Sequence, residues 1–408
     1  SGIVKRVLIK ICYGRLKHYE NRRKVVWSVW TAKIAMDALG VRELIMILLI
    51  RTQFFSELLI FVKCIRLVSG LINTFGINWT ELKMENSKLE SVVIVTDDIA
   101  PSFCYYDSKT KMTGLMPIDV LKDSINFCER GGYAATVLYS ARISEEHLKL
   151  LDGFAHIKVL DIDTLKFCLP DPENDIIIVE LGKFQNLDTL QGKKYNIILR
   201  MDLEEAKQLP MLIYQYHHYF RRLNVLFKNV GSATESALNQ FRIDIEPLKN
   251  VMYDLLVSGN AFEFNMVTDR MVLDSVNSCD AGIKHLTIAP NGCFYVCPAF
   301  YYEDEDHAVG SLNTGINIPN SHLLAIQYSA LCRICDSYQC RRCVFLNKKM
   351  THEVNTPSHQ QCVLSHHERN LSGILLQKLQ SKHFFSHIKN IPPLYYLDPL
   401  DYYQDIVK

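Results

Sequence analysis

The stretch "SVVIVTDD", residues 91–98, is a short β-branched run that ends in two acidic residues. A continuous apolar run of this length is typical of a buried parallel strand. The stretch "PIDVLKDSINFCERGG", residues 117–132, has apolar residues at helical spacing and a Gly-Gly stop. A strand followed by a helix is the first half of a βα unit, so the sequence predicts an α/β fold.

The same alternation continues to about residue 275. Helices are predicted in "SEEHLKLLDGF", which Ser144 opens, and around residues 204–220 and 234–258. Further strands are predicted in "YAATVLYS", "HIKVLDID", "DIIIVELG", "NIILRMD", "NVLFKN" and "EFNMVTD". This order implies a mainly parallel sheet. Asp97 and Asp98 end the first strand, where α/β proteins place functional groups, but capping of the next segment is the preferred interpretation.

Charge divides the chain into two parts. Residues 1–83 contain 14 Lys/Arg and 5 Asp/Glu, whereas the rest contains 31 and 39. We therefore predict a separate basic N-terminal extension, native or non-native, with Met84 as an alternative start. Its apolar stretch is interrupted by three charged residues, so no membrane span is predicted, and a basic amphipathic helix at a membrane surface is the alternative. Residues 1–24 show no secretory signal, which favours a cytoplasmic protein.

The thirteen cysteines are unevenly spread. Five are isolated and are interpreted as small buried hydrophobic residues: Cys12, Cys64, Cys104, Cys128 and Cys168. The other eight are Cys279, Cys293, Cys297, Cys332, Cys335, Cys340, Cys343 and Cys362. Without a secretory signal, such a group argues against disulfides and for a metal or cluster site.

The stretch "CRICDSYQCRRC", residues 332–343, contains two CxxC pairs. One such pair can bind a single metal without strain, but only "DSYQ" separates the pairs, so the four thiols need not share one ion. Upstream, "HLTIAPNGCFYVC" predicts a β-hairpin around a Pro-Asn-Gly turn, with Gly292 supplying the positive φ. The hairpin and a distal Cys362 add more thiols than one zinc ion requires. Iron–sulfur clusters, structural zinc and reduced free thiols are the alternatives.

Other polar side chains near the cysteines are assigned supporting roles. The "EDED" stretch at residues 303–306 is predicted to be a solvated loop. Nearby basic residues would offset thiolate charge: Arg333, Arg341, Arg342, Lys348 and Lys349. Surface or supporting positions are preferred over metal ligation for His352, His359, His366 and His367. Nucleic-acid binding is not predicted, because the chain from residue 84 onward is net acidic and has no aromatic-basic stripe.

The cysteine spacing resembles that of the seven-cysteine SPASM domain. This domain follows the catalytic barrel of radical S-adenosylmethionine (SAM) peptide-maturing enzymes and carries auxiliary 4Fe-4S clusters. The stretches "AGIKHLTIAPNGCFYVCPAFYY", "CRICDSYQCRRCVFLNKK" and "EVNTPSHQQCVLSHHERN" resemble the CXXX-repeat peptide maturase family. The resemblance covers roughly residues 90–375.

The resemblance implies a division of the ligands between two clusters. The first cluster would be held by Cys279, Cys297 and Cys343, and the second by Cys332, Cys335, Cys340 and Cys362. The fourth site of the first cluster would be either open or filled by Cys293. The two-four-two spacing of the cysteines at 332–343 is tighter than the usual two-five-three. The CxxxCxxC triad of a radical SAM enzyme is missing, since Phe300 follows "CFYVC" at the third position.

These features together predict the domain organisation and the function. Residues 84–275 would form a degenerate radical-SAM-like partial barrel, residues 276–365 a SPASM-like domain, and residues 366–408 a C-terminal helix, over about 365–381, with a tail. The resemblance implies maturation of Cys-rich precursor peptides with Cys-x-x-x repeats, beside a separate radical SAM maturase. One or two 4Fe-4S clusters would pass electrons or hold a substrate thiolate. A zinc-stabilised peptide-binding scaffold and a redox-inert scaffold are the alternatives.

Overall fold

A computed structural model describes residues 89–111, 113–190 and 192–400. The predicted extension at residues 1–83, its amphipathic helix and the start at Met84 lie outside the described residues. In the part of the chain that the structure describes, none of the helices has the length and apolarity needed to cross a membrane.

A nine-stranded sheet organises the described chain, in the order β7-β6-β5-β4-β3-β2-β1-β8-β9. Its strands are β1 Ser91–Val95, β2 Ala134–Tyr139, β3 Ile157–Asp161, β4 Ile176–Glu180, β5 Tyr195–Met201, β6 Phe220–Phe227, β7 Glu263–Phe264, β8 His285–Ile288 and β9 Phe294–Tyr295. Neighbouring strands are parallel, except that β8 and β9 are antiparallel. The predicted α/β fold with a mainly parallel sheet is confirmed.

The α-helices of the described chain connect these strands or follow them. They are α1 Ile118–Gly131, α2 Glu145–Asp152, α3 Leu209–Tyr216, α4 Glu235–Ile245, α5 Leu248–Val257, α6 Thr268–Val272, α7 Pro298–Glu303, α8 Val344–Thr351 and α9 His359–Gln380. The ends of α1 and α2 follow local signals. Gly132 takes a left-handed conformation after α1, and the Ser144 side chain accepts a hydrogen bond from the His147 N–H at the start of α2.

The core lies on both sides of the sheet. Along β1, Val92 and Ile94 belong to one buried cluster, whereas Val95 belongs to another, because successive side chains of a strand point to opposite faces. The larger cluster also contains residues from α9 and from the segment that follows the CxxC pairs. The cysteine-rich segment is therefore packed against the same core as the sheet.

Several connections differ from the predicted pattern. The links from β3 to β4 and from β4 to β5, for which no helix was predicted, contain 3-10 turns, Ile162–Lys166 and Leu181–Thr189. The predicted helix at 234–258 is divided into α4 and α5 near Pro247, whose missing N–H interrupts helical hydrogen bonding. The run "EFNMVTD" contains only two strand residues, because the Thr268 hydroxyl accepts the Phe264 N–H at 2.7 Å and the chain then turns into α6.

The hairpin places the cysteine-rich segment beside the first strand. Strands β8 and β9 pair around Gly292, which has φ of 72°, so the predicted turn is confirmed. Strand β8 pairs with β1, and α7 follows β9 directly. Two tyrosines of α7 reach the chain after β1: the Tyr301 hydroxyl donates to Asp98 at 2.6 Å, and the Tyr302 hydroxyl donates to the Asp97 carbonyl at 3.2 Å.

Candidate cysteine centres

Four of the predicted ligands line one cavity. They are Cys332, Cys335, Cys340 and Cys362. Cys332 begins a 3-10 turn, Cys332–Ile334, and Cys362 lies in the first turn of α9. The cavity therefore forms where the two CxxC pairs meet the start of the long helix.

Electrostatic interactions show that these four thiols are neighbours. Burial raises the pKa of Cys362, and repulsion from Cys340, Cys332 and Cys335 raises it further. Burial also raises the pKa of Cys335 to about 11, and the nearby Cys340 and Cys332 add to this shift. Repulsion of this kind requires short separations. The four side chains form one group, which we call the cavity set.

Hydrogen-bond donors and acceptors surround the cavity set. The Cys335 Sγ is 3.5 Å from His366 Nε2 and accepts the Ser337 N–H at 3.4 Å. The Cys340 Sγ contacts the Ser365 hydroxyl at 3.6 Å. Burial raises the pKa of Cys332, and the charge and hydrogen bond of the Arg342 guanidinium partly oppose this rise. These groups can stabilise thiolates in a site that excludes most water.

The other three predicted ligands, Cys279, Cys297 and Cys343, form a second group. Cys297 directly precedes α7, and Cys343 directly precedes α8. Burial raises the pKa of Cys297 well above its usual value, and repulsion from Cys343 and Cys279 adds to this effect. Hydrogen bonds from the backbone at Ala299 and Phe300 oppose the rise. Backbone donors at a helix start thus favour the thiolate form of Cys297.

Cys279 is the exposed member of this second group. Desolvation by the surrounding protein, followed by repulsion from the Cys343 thiol, raises the pKa of Cys279 to about 11. The Arg342 guanidinium lowers the pKa of Cys279, as it does that of Cys332. Arg342 therefore interacts with both groups of thiols.

Cys104 is a neighbour of the second group that the sequence did not predict. It lies in the loop between β1 and α1, and the Cys104 thiol, followed by burial, raises the pKa of Cys343 well above its usual value. Cys104 is half-buried and packs against the larger core cluster, so the interpretation as a small hydrophobic residue agrees with its packing but not with full burial. The sequence signal for this neighbour was the position of Cys104 after the first strand of a parallel sheet, where α/β proteins place functional groups.

The other candidate, Cys293, lies in different surroundings. The Cys293 N–H donates to the Asn291 side chain at 3.1 Å, and the Cys293 Sγ contacts the Asn291 carbonyl at 3.9 Å. Burial raises the pKa of Cys293, and the negative charge of Glu305 raises it further. Strand β9 ends at Tyr295, so Cys297 lies beyond the strand and directly before α7. The surroundings of Cys293 therefore differ from those of Cys297.

The two acids after β1 stabilise the loop that follows the strand. Asp97 is fully buried and forms an ion pair with Arg142, and its carboxylate also accepts the Ser140 hydroxyl at 2.7 Å. Asp98 accepts the backbone N–H groups of Lys111 at 2.8 Å and Gly114 at 2.7 Å. The Asp97 carboxylate also accepts the Ile99 N–H at 3.1 Å, so both acids accept backbone N–H groups of the segment that follows β1, as the capping interpretation expects.

Several of the basic and histidine side chains are structural. Arg341 and Arg342 are buried, so neither contributes to a basic surface for nucleic acid. His359 contacts Asp398 at 2.7 Å, and His367 is buried against Phe241. Among these histidines, His366 is the one that contacts a thiol of the described chain.

The arrangement of the thiols determines which metal ion or cluster they could bind. Within the described residues, no set of three or more His, Cys, Asp or Glu side chains is arranged to hold one metal ion. A zinc ion needs four donors about 2.0–2.3 Å from a common centre. A 4Fe-4S cluster binds each thiolate through a different iron. No protein-family model and no curated protein matches this sequence.

Proposed function

We propose that this chain is a cytoplasmic iron–sulfur protein for the maturation of ribosomally synthesised peptides with Cys-x-x-x repeats. It would act on a Cys-rich precursor peptide beside a separate radical SAM maturase. The observation that supports this function most directly is the sorting of seven cysteines into two neighbouring groups. The same division is implied by the resemblance to SPASM domains and the CXXX-repeat peptide maturases.

The fold supports the same proposal. Strands β1 to β7 follow one another in sequential order across the sheet. A chain that adds each parallel strand beside the previous one moves in one direction across the sheet, as in a partial barrel. We therefore propose that the sheet is a degenerate radical-SAM-like partial barrel and that the segment from the hairpin onward is SPASM-like. The missing CxxxCxxC triad is why a separate radical enzyme is part of the proposal.

The chain's own residues would bind the clusters and exclude water. A bound 4Fe-4S cluster supplies one-electron chemistry. The cavity set would ligate one cluster through four thiolates, and the Arg342 side chain would offset part of their negative charge. Hydrogen bonds to the sulfurs and low solvent exposure would tune the reduction potential. Cys332 and Cys343 are buried, as these roles require.

Metal and sulfide analysis of protein purified without oxygen tests this function. We expect brown protein with about eight irons and a similar amount of acid-labile sulfide per chain. Cys362→Ser should leave about four irons, because it removes one ligand of the cavity set. Cys128→Ser is the matched control, since Cys128 lies in the core between α1 and the sheet, and should leave the iron content unchanged. Colourless protein with zinc would instead support a peptide-binding scaffold.

A maturation assay separates a redox function from an inert scaffold. The precursor peptide and the partner enzyme would be coexpressed with wild type, Cys335→Ser or Cys340→Ser. We expect both variants to abolish the peptide modification, which mass spectrometry measures, while circular dichroism shows a folded protein. Full modification by both folded variants would contradict the electron-transfer role.

A further inference from the structure

We infer that residues 391–400 form a strap that closes the cavity set, and that release of this strap gives metal ions, clusters and reagents access to the four thiols. Asp398 anchors the strap in its closed position. The inference concerns access to the thiols, so it does not depend on which metal or cluster they bind.

The strap begins in close contact with the middle of α9. Ile391 lies against Gly373, where an added Cβ atom would be 3.2 Å from the Ile391 carbonyl oxygen. The absence of a side chain at Gly373 thus lets the strap approach the helix closely. One helical turn before Gly373, the Arg369 guanidinium donates to the Pro392 carbonyl at 2.7 Å.

Two histidines of α9 continue this line of contacts. The His366 Nδ1–H donates to the Leu397 carbonyl at 2.5 Å, and the His366 ring packs against Tyr396 with centroids 5.7 Å apart. The His359 Nδ1–H donates to the Asp398 carboxylate at 2.7 Å. Positions 359, 366, 369 and 373 are separated by seven, three and four residues and therefore share one helical face. The strap runs antiparallel to α9 along this face, from the middle of the helix to its first turn.

The strap ends at the cavity set. Pro399 lines the same cavity as the four thiols. This cavity has a volume of about 20 Å³, which is enough for about one water molecule. A hydrated metal ion or a 4Fe-4S cluster is larger than one water molecule. A wall of the cavity must therefore move before either of them enters.

The strap can move without disrupting a helix or a strand. Residues 391–398 form neither, and Pro392, Pro393 and Tyr395 are exposed. Segments with few buried apolar contacts open locally at a lower free energy than the core. By contrast, the lining residues Ser365 and His366 belong to α9, which is packed into the larger core cluster.

Asp398 is the buried anchor of the strap. The residue is 4% exposed, and its carboxylate accepts both the His359 ring N–H and the Leu400 N–H at 2.8 Å. The His359 ring also contacts Glu235, the first residue of α4, at 3.0 Å. A buried carboxylate is stable only with such partners. Loss of the carboxylate should therefore detach this end of the strap.

Thiol labelling tests the inference, with Asp398→Ala as the variant and Tyr395→Ala as the matched control. Tyr395 belongs to the same segment and is 97% exposed. The full chain would be purified without oxygen, freed of metal with a chelator and treated with iodoacetamide. Peptide mass spectrometry then gives the labelling rate of each cysteine. We expect Asp398→Ala to raise the rates of Cys332 and Cys362 about tenfold or more, because it removes hydrogen bonds to a charged group that oppose opening. Tyr395→Ala should match the wild type.

Cys128 reports unfolding of the whole chain in the same experiment, because it is fully buried between α1 and the sheet. Its labelling rate should stay low in both variants. In the wild type, urea below the unfolding transition should leave the rates of the cavity set nearly unchanged, since local opening exposes little surface. The Cys128 rate should rise steeply over the same range. This comparison needs no variant, so it tests the strap even if Asp398→Ala does not fold.

Three results would overturn the inference. Folded Asp398→Ala with the rates of the wild type would show that Asp398 does not anchor the strap, as would an equal acceleration in Tyr395→Ala. Wild-type rates of the cavity set that equal those of the denatured chain would show that the strap does not shield the thiols. Rates that follow the Cys128 rate at every urea concentration would show that access requires global unfolding. None of these results changes the iron content, which tests the proposed function separately.

Discussion

At the residue scale, two adjacent arginines of the "CRRC" stretch have different roles. The Arg341 guanidinium pairs with Glu368 and lies 4.7 Å from the centre of the Phe227 ring. The Arg342 guanidinium interacts with thiols of both cysteine groups. Charge compensation of the thiolates is therefore assigned to Arg342, whereas the main ionic partner of Arg341 is a carboxylate of the core.

Buried His367 makes the stability sensitive to acid. Burial, followed by the nearby charges of Arg242 and His366, lowers its pKa from 6.5 to about 4. As the pH falls below 6.5, the unfolded chain binds a proton that the native ring does not bind until about pH 4. The contribution of His367 is therefore fully present above pH 6.5 and decreases as the pH falls. Between pH 7 and pH 5 the expected loss is about 2 kcal/mol.

Urea unfolding at the two pH values measures this loss. His367→Gln should remove most of the loss, because glutamine does not titrate. His218→Gln is the control, since His218 is exposed, and should keep the acid sensitivity of the wild type. An acid sensitivity in His367→Gln equal to that of the wild type would contradict the prediction.

At the element scale, the start of α9 positions one cysteine of the cavity set. The sequence predicted a helix from about residue 365, but α9 begins at His359. Ser358 and Gln361 form a capping box, in which each side chain accepts the backbone N–H of the other. The Gln361 amide also donates to the Arg341 carbonyl at 3.1 Å. The cap thereby fixes Cys362 relative to the CxxC pairs.

Ser358→Ala should destabilise this helix start. Loss of the capping oxygen is expected to lower the free energy of unfolding by about 1 kcal/mol, as measured by urea denaturation. Ser358→Asp should retain most of the stability, because aspartate is also a good N-cap residue. Ser386→Ala, at an exposed position after α9, is the control. A Ser358→Ala variant as stable as the control would show that the capping box is not needed.

At the scale of the whole molecule, one buried carboxylate joins three parts of the chain. Glu368 of α9 forms ion pairs with Arg270 of α6 and with Arg341, which lies between the CxxC cysteines. All three side chains are at most 5% exposed. The Arg341 guanidinium also approaches the Val225 carbonyl of β6 at 3.4 Å. The ion pairs therefore fix the cysteine-rich segment to the sheet.

Glu368→Gln should be severely destabilising. It leaves two buried guanidinium groups without a counter-charge, for which we expect a loss of about 3–5 kcal/mol in the free energy of unfolding. Glu353→Gln provides the control, because Glu353 is exposed, and should change stability by less than about 0.5 kcal/mol. The two variants would be compared by urea denaturation, and similar midpoints would refute the structural role of Glu368.

The sequence by itself determined the strands, the first helices and the hairpin turn. These depend on interactions among residues close in the chain: β-branched runs, helical periodicity, the Ser144 cap and the positive φ of Gly292. The division of the seven predicted ligands came from resemblance in spacing, because a CxxC pair alone does not show which distant thiol joins it. The shortness of β7 and the division of the helix at 234–258 were missed, since the Thr268 hydrogen bond and Pro247 override the apolar pattern there.

Only the tertiary structure brought together residues that are far apart in the sequence. Tyr301 and Tyr302 of α7 reach Asp98 and the Asp97 carbonyl because β8 pairs with β1 and places α7 against the loop after β1. Glu368 reached Arg270 through the packing of α9 on α6. No local pattern encodes these contacts, since they depend on the order of the strands and on the core that α9 and the sheet share.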